Sequence, residues 1–188
     1  MRKVIVSVNL TLDGYIAGVN GELDWHFPFW TEEMEEFVFR QLQSVDTLLM
    51  GRRTYQRMAA HWLAARGDCF ADMMNNYTKI VFSTSIKKAA WPHTKFIANN
   101  IAEKITRLKQ QPGGDMVIYG SSSIVQAFRR MDLVDEYQVW LHPVLIGNGI
   151  PLFDHHSDML SLRLLKTKLF YSGVMLLYYE PARDMKYC

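Results

Sequence analysis

The stretch Val45-Asp46-Thr47-Leu48-Leu49-Met50-Gly51-Arg52-Arg53-Thr54-Tyr55 constrains the fold of this chain more than any other. The run Thr47 to Met50 is apolar and too short for a helix, so it predicts a buried strand. Gly51 permits a sharp turn and a close approach to the backbone. The helix that follows aims its free N–H groups and the positive end of its dipole at whatever sits above Gly51. Arg52 and Arg53 add charge there, and Thr54 adds a hydroxyl, a combination suited to phosphate. Met116-Val117-Ile118-Tyr119-Gly120-Ser121-Ser122-Ser123-Ile124-Val125 repeats the pattern with hydroxyl donors. Two such turns can hold the two ends of a pyrophosphate or a dinucleotide. Each turn alone is also an ordinary feature of α/β chains, with Ser a common N-cap. Neither is a Walker loop or a G-x-G-x-x-G fingerprint.

The rest of the chain alternates in the same way. Lys3 to Asn9 reads as a central strand buried on both faces. Residues 11–25, with turns at Asp13-Gly14 and Asn20-Gly21, read as a long, partly ordered loop, of a length uncommon without a function. Thr31 is an N-cap for an amphipathic helix over 32–44, and 54–64 forms a second helix. Residues 66–78 are ambiguous, with helical character toward Asp72–Asn76. Strands are expected at Lys79–Ser83, Thr94–Ala98 and Glu136–Leu141, and helices at 101–110 and 122–131. Ile146 to Pro151 reads as a turn-rich loop. Residues 160–169 and 173–180 predict a closing hairpin through Tyr171-Ser172-Gly173. The expected architecture is a three-layer α/β fold: a mixed, mostly parallel sheet, helices on both faces and a C-terminal antiparallel hairpin.

Length and charge narrow the class. The chain has 188 residues, which suits one domain over 1–188. Its net charge of +2 gives no argument for nucleic acid. Cys69 and Cys188 provide neither a disulfide framework nor metal spacing. The basic residues Arg2 and Lys3 precede an apolar run too short for a signal peptide, and nothing approaches a membrane span. A soluble cytoplasmic protein is expected. His155, His156 and Asp158 lack a third ligand at metal spacing, so no metal is expected.

Several short motifs then stand in a telling order. They are Leu12-Asp13-Gly14-Tyr15-Ile16-Ala17, Gly21-Glu22-Leu23-Asp24-Trp25, Met50 to Tyr55, Ile80-Val81-Phe82-Ser83, Val117-Ile118-Tyr119-Gly120, and Leu133-Val134-Asp135-Glu136 through Pro143 to Phe153. With these the chain resembles the dihydrofolate reductase-like superfamily, and within it the reductase (C-terminal) domain of the bifunctional riboflavin-biosynthesis deaminase-reductase, RibD. The resemblance implies a sheet of about eight strands and an NADPH-dependent reductase. It would act on a pyrimidine- or pterin-type heterocycle, as 5-amino-6-(5-phosphoribosylamino)uracil reductase does. By the same resemblance Arg52 faces the adenosine 2′-phosphate, supported by Ser83 and Thr84. Gly51, Arg53, Thr54 and the helix they open hold one side of the pyrophosphate, and Gly120, Ser121, Ser122 and Ser123 the other. Asn9 and Ile16 offer backbone groups to the nicotinamide carboxamide. Relatives of this type pair as homodimers, and the apolar strand Val174 to Tyr179 is the sequence's candidate interface. The chain departs from the family at Tyr119-Gly120, where two glycines are usual, and at the serines 121–123. Tyr119 either crowds the cofactor or faces the core.

Reduction of a C=N bond also needs a proton. In dihydrofolate reductases a carboxylate on the first helix serves this end. The matching place here, sixteen residues before Gly51, is Glu35, with Glu32 next and Glu36 and Asp24 behind. Each of these glutamates also reads as a solvated helix face that favours the dipole. Trp25 and Asp24 are expected at the substrate, with Phe27, Phe29 and Trp30 either completing an aromatic wall or filling core. Two alternatives stay open: dihydrofolate reductase proper, and a non-catalytic nucleotide-binding or dimeric scaffold that kept the fold.

Overall fold

The β-branched and apolar residues of Val4–Thr11 form β1, an inner strand of the larger sheet. The computed structural model describes residues 1–65, 69–86, 88–153 and 159–182. Short β2 (Tyr15–Ala17) and a 3-10 helix (Asp24–Phe29) lead to α1 (Glu32–Leu42), which Thr31 caps by accepting from Met34 N. Then come β3 (Val45–Gly51), α2 (Arg52–Ala64), α3 (Cys69–Asn76), β4 (Thr78–Phe82) and β5 (Thr94–Ile97). The order closes with α4 (Ile101–Lys109), β6 (Asp115–Ile118), α5 (Ser122–Arg130), β7 (Glu136–His142), β8 (Ile150–Pro151), β9 (Leu162–Leu169) and β10 (Met175–Pro181).

The larger sheet has eight strands in the order β5-β4-β3-β6-β1-β7-β10-β9. Pairing is parallel from β5 through β7 and antiparallel at β7–β10 and β10–β9. The expected mixed sheet and closing hairpin are therefore present, and the fold is dihydrofolate reductase-like. Strand alternation explains the layers. Leu49, Ile80, Ile118 and Val6 pack with Ile105 of α4 and Val125 and Phe128 of α5. Leu48, Met50, Val81 and Val117 point the other way, onto Leu42, Tyr55, Ala59 and Met74 of α1 to α3. Met34 of α1 extends that second layer over Trp140, Phe170, Leu176 and Tyr178.

Three expectations are corrected. The loops 11–25 and 146–151 carry more regular structure than turns alone: β2 and β8 pair as a small antiparallel sheet, and a 3-10 helix begins at Asp24. The second helix begins at Arg52, immediately after Gly51. The final strand is apolar on both faces but closed fully on one: Val174, Leu176 and Tyr178 are buried, whereas Met175 is exposed and Leu177 and Tyr179 are half-buried. Edge strand β9 and its turn add further exposed apolar residues beside it: Leu164, Leu165, Leu169 and Tyr171.

Candidate active site

The C-terminal ends of five neighbouring parallel strands form one row. In sheet order they deliver Ser83 after β4, Gly51 and Arg52 at β3, Gly120 after β6, Asn9 on β1 and His142 on β7. Adjacent strands lie about 4.8 Å apart, so the row from β4 to β7 spans roughly 19 Å. The helices after β3 and β6 leave to opposite faces: α2 packs with one core layer and α5 with the other. Such a divergence opens a crevice outside the carboxyl ends of a sheet.

At that crevice the two glycine turns meet. A Cβ placed on Gly51 would lie 3.3 Å from Ser121 Oγ and 3.2 Å from Ile124 Cγ1. Gly51 and Ser121 are the N-caps of α2 and α5, and neither helix start has a side-chain cap. Ser121 Oγ instead pairs with Ser123 Oγ at 2.7 Å. Two uncapped helix N-termini thus begin side by side, a setting that favours negative charge. Gly120 has φ +115 and only open space where a side chain would stand. Beside this, Arg52, Ser83, Thr84, Ser85, Ala98 and Ile101 line a groove of about 420 Å³. Ser83 Oγ there accepts from Ser85 N and Ile86 N, which folds the turn after β4. Arg53 is exposed at the second position of α2, and Thr54 is half-buried.

The other end of the row is aromatic. His142 is completely buried. Its Nε2 lies 3.1 Å from Asn9 Oδ1, and its ring meets Trp25, Phe29 and His26 edge-on at 5.2, 5.8 and 6.1 Å. Burial, helped by the neighbouring His26, pushes the His142 imidazole down to about 4. The ring is therefore neutral at pH 7. Burial also lowers His26, opposed by its Nδ1 contact with Leu23 O.

Side chains hold the loops over this edge. Asp13 accepts from Ile146 N at 3.1 Å, from Gly147 N at 2.8 Å and from Thr11 Oγ1 at 2.5 Å. These bonds, Thr11's first, keep its carboxyl below the usual range. They also bring β8 beside β2. Arg57 of α2 donates to Gly21 O at 2.6 Å and Asn20 O at 3.1 Å, fastening the loop that precedes Trp25.

The sequence-predicted residues thus fall into three places. Gly51, Arg52, Arg53, Thr54, Ser83, Thr84, Gly120, Ser121, Ser122 and Ser123 gather at the glycine turns and the groove beside them. Asn9 and Trp25 join the His142 cluster. Ile16 is half-buried on β2 against the core, and Asp24 is exposed at the start of the 3-10 helix. Glu32 and Glu35 are not brought to His142. They are exposed and line a separate groove with Glu36, Phe39, Arg40, Cys69 and Phe70. The reason is helical phase: burying Met34, Phe37, Val38 and Leu42 turns positions 32, 35 and 36 outward. Tyr119 packs against the core layer of Met50 and Val117, which settles its direction, and burial raises its phenol. Phe29 lies in the cluster, whereas Phe27 and Trp30 are exposed. His155, His156 and Asp158 lie outside the described residues. Among the described residues no helix is long and apolar enough to cross a membrane. His142, Asp13 and Arg57 were missed as site residues. For His142 a signal existed: it ends a strand of the parallel set, where binding groups collect.

The chain is similar to two Bacillus subtilis (strain 168) proteins, the uncharacterized YyaP and YwjB. YyaP is 33% identical over 187 residues, covering 95% of each chain. YwjB is 32% identical over 177 residues, covering 94% of this chain and 97% of the relative. Among solved structures, a riboflavin-biosynthesis-type protein from Shewanella sp. PV-4 superposes with TM-score 0.79 at 24% identity, over 96% and 99% of the two chains. The Enterococcus faecalis dihydrofolate reductase complexed with NADP(H) superposes with TM-score 0.63 at 16% identity, over 96% of each. The model of the RibD C-terminal domain matches residues 2–176, so the chain belongs to the RibD C-terminal domain family.

Proposed function

We propose that this protein is an NADPH-dependent reductase that delivers hydride to a pyrimidine- or pterin-type heterocycle. The observation that carries the reading is the row of strand ends: a cationic groove at Arg52, two meeting helix N-termini, and an aromatic cluster at His142. Its length and order suit an extended dinucleotide with a flat substrate at the β7 end.

The residues fit the cofactor. Arg52, with Ser83 and Thr84, would take the 2′-phosphate, since a guanidinium recognises phosphate by charge and paired donors. The starts of α2 and α5 would take the pyrophosphate, with Gly51, Arg53, Thr54, Gly120 and Ser121–Ser123 around it. Backbone groups of Asn9 and Ile16 would orient the carboxamide. Bound NADPH supplies the hydride. Trp25 and Phe29 would flank the substrate and exclude water, and Arg57 would keep the loop before Trp25 in place. Family membership and the fold shared with an NADP(H)-complexed enzyme support the reading. A homodimer through the exposed leucines of β9 is part of the same proposal.

Tryptophan quenching tests it, with NADPH and NADH titrated against wild type and Arg52→Ala. Saturable binding that prefers NADPH, and loses that preference in the variant, is expected. No binding at millimolar cofactor would sink the reductase reading and leave a scaffold.

A further inference from the structure

The row of strand ends is electrically lopsided. Its cofactor half carries Arg52, Arg53 and the uncapped starts of α2 and α5. Its β1–β7 half is built from two stretches, 4–39 and 131–162, that contain no Lys or Arg. Those stretches supply Asn9, the loop over 11–25, the 3-10 helix, the start of α1, and His142 with the loop after it. The same loop and 3-10 helix carry the acids Asp13, Glu22 and Asp24.

No positive charge from elsewhere makes up the difference. Arg57 is engaged by Gly21 O and Asn20 O, and Lys168 by Glu33 at 2.9 Å. His26 and His142 are both lowered by burial and are neutral at pH 7. The first turn of α1 holds Glu32, Glu33 and Glu35, so acid already answers its dipole. Arg52 faces the groove with Ser83 and Thr84 on the β4 side. Three strand spacings separate β3 from β7, roughly 14 Å. The screening length at physiological salt is about 8 Å.

We propose that the substrate of this site is uncharged or cationic and carries neither a phosphate nor a carboxylate tail. The inference rests on the reductase reading and narrows it to bare heterocycles and their neutral glycosides. It departs from phosphorylated and glutamylated substrates. Proteins hold such anions with Arg, Lys or clustered N–H donors. Without them, entry strips the anion of water and returns nothing. The acids add repulsion. Asp13, bonded first by Thr11, and Glu22, bonded by its own N–H and by Asn20, both stay below the usual carboxylate range. Asp24 is exposed next to Trp25 at the same edge.

Calorimetric titration of the NADPH-saturated protein at neutral pH tests this. Saturating NADPH keeps a probe's phosphate away from Arg52. The probes are uridine against uridine 5′-monophosphate, and 7,8-dihydropterin against 7,8-dihydrofolate. Each pair shares a ring and differs by an anionic tail. In about 10 mM salt the neutral member of at least one pair is expected to bind ten-fold or more tightly. In about 1 M salt, where the screening length falls from about 30 Å to 3 Å, that ratio is expected to shrink at least two-fold. A tail excluded by its size alone would not respond to salt. Asp24→Lys is expected to shrink the low-salt ratio in the same way. Equal or tighter binding of both anionic members overturns the inference. So does a ratio that neither salt nor Asp24→Lys moves, or no binding of either neutral member. The salt series needs no variant, so a misfolded Asp24→Lys cannot mask the answer. Titrated alone, NADPH that fails to bind sinks the reductase reading and this inference with it. NADPH binding followed by a preference for the anionic members sinks this inference alone.

Discussion

His142 Nε2 and Asn9 Oδ1 lie 3.1 Å apart, joining the end of β7 to β1 and holding a neutral imidazole in a closed aromatic cluster. That neutrality makes stability depend on acid. Unfolded His142 takes up its proton near pH 6.5, folded His142 only near 4. Between those values the unfolded chain binds more protons, so stability is lost as pH falls, by up to about 3 kcal/mol. His26, also lowered, acts in the same direction. Urea unfolding from pH 7 to 4 is expected to show a shallower loss in His142→Gln than in wild type. Parallel curves would mean that the imidazole already carries a proton in the fold.

Arg57 ties α2 to the loop ahead of Trp25 through two carbonyls. Hydrogen bonds from a charged donor are stronger than neutral ones, yet this side chain is largely in water. Arg57→Ala is expected to ease local opening about ten-fold, equivalent to about 1.4 kcal/mol. Amide exchange across residues 18–23 should report it, while the melting temperature shifts by only about 2–4 °C. Unchanged exchange would show that Asn20 and Glu22, bonded to each other, hold the loop unaided.

The two turn glycines are required for different reasons. Gly120 has φ +115 over open space, so Gly120→Ala is penalised by backbone strain, about 1–3 kcal/mol. Gly51 has an ordinary φ of −81, and its added Cβ would press on Ile124 and Ser121. Overpacking of that kind costs about 1–3 kcal/mol. Adding Ile124→Ala removes the pressed side chain. The pair with Gly51→Ala should be non-additive, and the pair with Gly120→Ala additive. Additivity in both pairs would rule out the contact at Gly51.

What the sequence made legible follows from range. The strand–glycine–helix turns at Gly51 and Gly120 are local, and apolar runs with glycine mark them. The sheet and its closing hairpin follow from the same periodicities. Strands β2 and β8 carry no period, having three and two residues. Their pairing depends on Asp13 reaching Ile146 and Gly147 across more than a hundred residues. For His142 only the position at a strand end was local, while its tie to Asn9 spans 133 positions. The final strand reads as one apolar stretch, and only the packing of Met34, Phe37 and Val38 of α1 decides that Val174, Leu176 and Tyr178 are the buried side.

Glu32 and Glu35 were chosen by counting along the chain, and helical phase turns both outward. Glu33, between them, instead pairs with Lys168 at 2.9 Å. Glu32→Gln and Glu35→Gln are therefore expected to keep kcat/KM within about two-fold, less than 0.5 kcal/mol, for whichever heterocycle is turned over with NADPH. A hundred-fold fall in kcat for either variant would return the proton-donor role to α1.

Lys79 is wholly buried, donating from Nζ to Asn75 O at 2.6 Å and Tyr77 O at 2.8 Å, with the Trp91 ring at 4.5 Å. Burial pulls it from 10.5 to about 8. Above pH 8 the folded chain sheds this proton while the unfolded chain keeps it, so stability rises with pH. From pH 8 to 9.5 the gain is about 1.5 kcal/mol. Tyr77, Tyr137 and Tyr178, raised to about 12, oppose it above pH 10, where unfolded phenols ionise first. Denaturant unfolding across pH 8 to 9.5 should therefore show wild type gaining stability and Lys79→Met staying flat. A flat wild-type profile would mean that the ammonium keeps its charge against the helix-end carbonyls.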